Sequence, residues 1–368
     1  MKKKRTLFEL KEKYKPELKR CEVCNSKNFY PFQHFSRVGK SLVYGENQTL
    51  ICSRCSYKMQ NPRYPNEFYR EYYSEAYRDI CFGSLAPNQA YIDDQKRRGK
   101  RVLNYCRQFF EEPATVLDHG SASGGALIPF KDNGWETYGV DPHEVAILTG
   151  KKELGIDLRL GVGEDLPFED NSIDLLISLG SLEHSYDIGL SLKEIRRVIK
   201  PNSGILFIRW RSDELWGSPL EFFNHNHYRF FTDETLNLLL LKHGFEVIKN
   251  DKYEIERKPG EVYTIAKVKQ GDIEGQFNFL LNKHEKNNLS LEQMKNHAIY
   301  KLNYLKRCSE FISMWNNSNK DYLEFANEIR SKKDSKHRIL LGEEKWAVER
   351  ALKEAEIYIS EWEKGNVF

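Results

Sequence analysis

Val116-Leu117-Asp118-His119-Gly120-Ser121-Ala122-Ser123-Gly124-Gly125 decides the fold. A hydrophobic run ends in an acid, enters a loop of small residues, and continues into the apolar helix start Ala126-Leu127-Ile128. Small side chains let the backbone approach a bound molecule closely, and a helix N-terminus offers it unpaired N–H groups.

Working outward, residues 115–118 read as a first buried strand and 136–141 as a second, ending in Asp141. Residues 158–160, 173–178 and 204–210 supply three more, the last after the turn Pro201-Asn202-Ser203-Gly204. Residues 245–248 and 261–268 close the set as a hairpin-like pair. Helical stretches fill the gaps; in 191–199 the apolar residues recur at i, i+3 and i+4. Strands alternating with helices predict βαβ units. The expected fold class is α/β, a Rossmann-like, seven-stranded, mostly parallel sheet over residues 112–270. An acid closing the second strand is placed to accept both hydroxyls of a ribose.

These residues resemble the class I S-adenosylmethionine-dependent methyltransferases, whose first motif is Asp-x-Gly-x-Gly-x-Gly. Here it stands as Asp118-x-Gly120-x-Ala122-x-Gly124, with Ala in the middle place. Asp141, the segments 161–168 and 170–174, Ser181-Leu182-Glu183-His184 and the run 192–204 follow in the family's order. The resemblance covers about 160 residues. It implies that Gly120, Ala122 and Gly124 pass the methionine part of the donor, with Asp118 near its amino group. Asp141 would hold the ribose, and Gly163 and Glu164 would frame the adenine. The family often has an acid where this chain has Val162. Dinucleotide binding is the competing reading, but Gly120-x-x-x-Gly124-Gly125 does not fit Gly-x-Gly-x-x-Gly.

Two Cys-x-x-Cys pairs, Cys21/Cys24 and Cys52/Cys55, can supply four thiolates to one structural zinc ion. The span between them exceeds the usual roughly 15–20 residues, and strand-like sequence fills it. A redox pair or four unrelated thiols are the alternatives. An N-terminal four-cysteine ribbon resembles a subgroup of bacterial methyltransferases acting on sugars and natural products. Its sugar C-methyltransferases carry Tyr-His-Glu-His after the fifth strand. This chain has Asn224-His225-Asn226-His227, keeping both histidines and replacing the Tyr and the Glu. Transfer to a hydroxyl or amine gains weight over C-methylation. Histidine suits removal of an acceptor proton, so His227, His225 and His184 are the candidate bases. Local packing is the plainer role for each.

With 57 basic and 54 acidic residues the chain carries a net charge of +3, which gives no electrostatic argument for a nucleic-acid partner. No stretch is apolar enough to span a membrane. Paired cysteines within an odd total of seven point to a reducing, cytoplasmic setting. Four regions are expected: a zinc-ribbon lobe over 1–62, a helical lid or linker over 63–111, the donor-binding domain over 112–270, and a helical extension over 271–368. Tyr69, Tyr72, Tyr73 and Tyr77 share part of a helical face, suiting either a lid or a packing surface. Trp210, Trp216, Phe222, Phe223 and Tyr228 would wall the acceptor side. The terminal helices offer an apolar face to the same chain, to a second copy in a homodimer, or to another enzyme. The expected acceptor is a small molecule or a glycan precursor. A scaffold protein that binds the donor with little turnover, and RNA modification, are rival functions.

Overall fold

The computed structural model describes residues 11–35, 47–76, 86–212, 227–255, 258–286 and 289–318, with 324, 360 and 364 besides. Its centre is a seven-stranded sheet. The strands are β4 (Thr115–His119), β5 (Glu136–Asp141), β6 (Asp157–Leu160), β7 (Leu175–Leu179), β8 (Ile205–Arg211), β10 (Phe245–Ile255) and β11 (Lys258–Val268). Their spatial order is β10-β11-β8-β7-β4-β5-β6. β6, β5, β4, β7 and β8 run parallel, while β11 lies antiparallel between β8 and β10. This is the expected α/β Rossmann-like architecture. The strand expected at 173–178 starts two residues later, because Ile173 forms a lone bridge to Ile199 instead.

Alternation along the strands sends successive side chains to opposite faces. Leu117, Leu176, Leu206 and Ile208 pack on one face with α5 (Ile188–Val198) and α6 (Asp233–Lys242). Val116, Leu175, Ile177, Ile205 and Phe207 pack on the other with α2 (Gln89–Cys106) and α4 (Glu144–Leu154). Both faces are covered, which is why these strands read as unbroken apolar runs.

A second, antiparallel sheet joins β1 (Phe29–Phe35), β2 (Asn47–Cys52) and β3 (Lys58–Gln60) to β9 (Arg229–Phe230). The cysteine lobe is thus completed by a strand that follows β8 in the chain. On its other side Ser290, at the start of α8 (Leu289–Asn317), donates its hydroxyl to the Cys52 carbonyl at 2.7 Å. Glu285 of α7 (Ile273–Lys286) meets Arg54 at 3.0 Å, and His297 stacks on Phe32 with ring centroids 4.2 Å apart. The described part of the helical extension therefore packs on the same chain. Its expected helices beyond 318 lie outside the described residues, apart from single positions. Among the described residues no helix is long and apolar enough to cross a membrane.

Candidate functional site

The loop after β4 uses backbone geometry open to few residue types. Gly120, Ala122 and Gly124 all have positive φ, at 78°, 47° and 74°. A Cβ on Gly120 would sit 2.5 Å from that of Ser181. Ala122 carries its methyl group in the left-handed region, a strain of about 1–2 kcal/mol. The contact that holds it there comes from the next strand. The Ala122 N–H donates to Asp141 Oδ2 at 2.8 Å, and the His143 N–H donates to Asp141 Oδ1 at 2.8 Å.

Asp118 lies beside them, 2% exposed, and its Oδ1 has no hydrogen-bond partner. Burial, together with repulsion from Asp141, pushes its carboxyl up to about 7 against the pull of Arg98. His119 is equally buried. Its Nδ1 lies 3.3 Å from Ser181 Oγ, its Nε2 has no partner, and burial pushes the imidazole down toward the neutral form. A Cβ on Gly163 would lie 2.1 Å from that Nε2, so the β6 and β4 loops meet there. Glu164 turns away to accept the Asp187 N–H at 3.0 Å.

Two residues outside the motif tie the loop down. Gln95 of α2 accepts from Ser123 Oγ at 3.0 Å and donates to the Ser121 carbonyl at 3.4 Å. One turn on, Gly99 lets α2 touch the helix start, where a Cβ would meet the Ala126 carbonyl oxygen at 2.0 Å. A glutamine and a glycine within the stripe Ile92, Val102, Leu103 and Cys106 were the available sequence signal.

The acceptor-side histidines come from different loops. His184 follows β7 and His227 precedes β9, and their ring centroids lie 5.2 Å apart. His225 lies outside the described residues, as do Tyr77, Trp216, Phe222 and Phe223. Tyr69, Tyr72 and Tyr228 pack with Phe68 in one buried cluster, Tyr73 and Tyr186 against it. The Tyr228 hydroxyl donates to that of Tyr73 at 2.9 Å. Trp210 is buried, its indole N–H donating to Thr264 Oγ1 at 2.9 Å.

The four cysteines converge. Cys21, Cys24, Cys52 and Cys55 place their Sγ atoms within 4.8 Å of one another, with Cys21–Cys55 and Cys24–Cys52 each 3.4 Å apart. Zn–S bonds of about 2.3 Å in a tetrahedron put sulfurs about 3.8 Å apart, so the set fits one ion. Both knuckles turn alike: the Asn25 and Ser56 N–H groups return to the Cys21 and Cys52 carbonyls, each with φ of 62°. Glu22, inside the first knuckle, binds Arg63 and Arg229 at 2.6 Å each and accepts the Tyr57 hydroxyl at 2.9 Å. Despite its burial, the two guanidiniums hold its carboxyl well below the usual range. Arg229 also donates to the carbonyls of Glu183, Ser185 and Tyr186, the loop that carries His184.

Residues 91–250 match the family model described as a methyltransferase domain. Over that stretch the chain is similar to methyltransferase domains. Among curated relatives, the domain is similar to the uncharacterized protein YafE of Escherichia coli (strain K12), 41% identical over 51 residues, covering 14% of this chain and 25% of the relative. It is also similar to a ubiquinone biosynthesis O-methyltransferase of Azorhizobium caulinodans, 31% identical over 98 residues, covering 25% and 38%. The chain thus spans between a quarter and two fifths of these relatives. Among solved structures, the PH0226 protein of Pyrococcus horikoshii OT3 aligns at 20% identity and a TM-score of 0.42, covering 52% of this chain and 99% of that one.

Proposed function

We propose that the protein transfers a methyl group from S-adenosylmethionine to a hydroxyl or amine of a small-molecule or sugar-linked acceptor, in the cytoplasm. The donor, when bound, supplies an electrophilic methyl group. Asp118, Gly120, Ala122 and Gly124 would hold its methionine part, Asp141 its ribose, and Gly163 and Glu164 its adenine. The observation that carries this reading is the Asp141 carboxylate, fixed by the Ala122 and His143 N–H groups at the mouth of the left-handed loop. The orphaned, buried Asp118 Oδ1 supports it, because an ammonium group would satisfy that atom. The O-methyltransferase relative is consistent with a hydroxyl acceptor.

In-line transfer depends largely on positioning. An alcohol must also lose a proton, and His227 or His184 would take it at the carboxyl ends of the strands, where such sheets bind ligands. His225 remains a candidate on sequence alone. Cys21, Cys24, Cys52 and Cys55 would hold a structural zinc ion. The division at 62, 111 and 270 belongs to the same reading.

Calorimetry with S-adenosylhomocysteine tests the core of it. Binding is expected in the wild type and weaker by about 10–100-fold in Asp141→Ala, from loss of a charge-assisted pair of roughly 1.5–3 kcal/mol. Folded wild-type protein that takes up neither donor nor product sinks the proposal. His184→Gln and His227→Gln should retain that affinity and lose single-turnover transfer to whichever acceptor a panel identifies.

A further inference from the structure

The two halves of the candidate site are held by different parts of the fold. On the donor side the supports belong to the central sheet and the helix before it. Asp141 fixes the Ala122 and His143 N–H groups, Gln95 ties down Ser121 and Ser123, and Gly99 seats α2 on the helix start. On the acceptor side they come from the cysteine lobe. Gln60, at the end of β3, donates through Nε2 to the His227 carbonyl at 2.6 Å, and its N–H donates to the Tyr228 carbonyl at 2.8 Å. β3 then pairs with β9, setting Met59 opposite Arg229.

Arg229 carries the connection on to the other histidine. Its Nε and Nη2 form a fork onto the two oxygens of Glu22, at 2.8 Å and 2.6 Å. The same guanidinium donates to the carbonyls of Glu183, Ser185 and Tyr186, on both sides of His184. Glu22 stands between Cys21 and Cys24, two of the four converging thiols, so closure of that knuckle around an ion fixes its position. A guanidinium left buried without its carboxylate is costly. Opening of the knuckle would therefore draw Arg229 toward water and take its three carbonyl bonds with it.

We propose that metal occupancy of the cysteine cluster governs the acceptor side of the site alone. Through Glu22, Arg229 and Gln60 it sets the segments bearing His184 and His227, and its loss loosens them while the donor loop keeps its shape. Glu22, Gln60 and Arg229 are thus positioning residues, acting through the two histidines. This rests on the methyl-transfer reading, which makes that half the acceptor side. A lobe that merely stabilised the fold would loosen both halves together.

Amide hydrogen exchange on the full-length, zinc-loaded chain tests it, with S-adenosylhomocysteine affinity measured in parallel by calorimetry. The reporters are the His184 and Ser185 N–H groups, bonded to the Ser181 and Leu182 carbonyls, and residues 227–231. Stripping zinc with a chelator should speed their exchange by about tenfold or more, and adding zinc back should reverse it. Residues 116–125 and 136–143 should change by less than about threefold, and so should S-adenosylhomocysteine affinity. Glu22→Gln should keep its zinc and loosen 183–186. Gln60→Ala, outside the knuckle, should keep its zinc and loosen 227–231, which supplies the comparison if Glu22→Gln does not fold. Unchanged exchange at 183–186 after zinc removal overturns the proposal, as does wild-type protection in both zinc-bearing variants. Joint loosening of the two halves with loss of S-adenosylhomocysteine also overturns it, by making the lobe a general support. Zinc-loaded wild type that binds no S-adenosylhomocysteine defeats the methyl-transfer reading instead, and the exchange comparison still decides the coupling.

Discussion

Arg229 holds Glu22 from one side and the carbonyls of Glu183, Ser185 and Tyr186 from the other. One fully buried guanidinium thereby connects the cysteine knuckle to the loop bearing His184. Breaking a buried pair by removing one partner typically costs about 3–5 kcal/mol, since the other charge stays buried. Arg229→Met should therefore lower the thermal midpoint sharply, and Glu22→Gln should do so too. A midpoint within a degree or two of wild type in both variants would remove the link.

The cysteine cluster should carry one zinc ion per chain, measured by elemental analysis of protein purified without added metal. Cys52→Ser removes a ligand from the strand end that also receives Ser290, so metal content should fall and α8 should exchange its amide hydrogens faster. Structural zinc sites contribute on the order of 10 kcal/mol or more to folding. Full stability after chelation would therefore contradict a structural role.

Asp118 makes a pH prediction whose sign can be worked out. Its carboxyl titrates at about 7 in the folded chain and near the ordinary 3.8 when unfolded. Between those values the native state holds a proton that the unfolded state lacks, so this group's contribution to stability is present at low pH and declines as pH rises through 7. A cationic donor group prefers the ionised form. S-adenosylhomocysteine affinity should consequently rise from pH 6 to pH 8 with release of a proton, read from calorimetry in buffers of different ionisation enthalpy. In Asp118→Asn that dependence should flatten; an unchanged slope would show that another group is responsible.

Ala122 tests the loop conformation. Ala122→Gly relieves the left-handed strain but frees the unfolded chain, and the two effects of about 1 kcal/mol nearly cancel. Stability and S-adenosylhomocysteine affinity should both stay close to wild type. Ala122→Val places a β-branched side chain at a φ of 47°, and binding should be lost. Equal behaviour of the two variants would mean that the loop is not held as described.

The central sheet was legible because its signals are local. β4, β7 and the first half of β8 are short apolar runs, and the acid-to-glycine loop announces both a turn and a ligand approach. What could not be read depends on partners far away in the chain. β9 is two residues long and pairs with β3, so no periodicity marks it. Glu22 sits between two cysteines and reads as a solvated knuckle residue until Arg229 arrives across the fold. His119 filled an unspecified place in the loop motif, and its burial against Gly163 depends on where the β6 loop ends. His184 and His227 were named separately, and only the fold puts their rings side by side.

The late arrival of β9 also dictates an order of events during synthesis. The first sixty residues leave the ribosome long before Arg229 and Phe230 exist, and longer still before Ser290. Until then the ribbon has an unpaired β3 edge, a Glu22 with Arg63 as its one available guanidinium partner, and no helices behind it. Metal capture by the nascent knuckles can fix their local turns, but closure of that lobe must await nearly the whole polypeptide. Truncations that stop before residue 229 should therefore leave the amino-terminal segment open to proteases even when zinc is supplied.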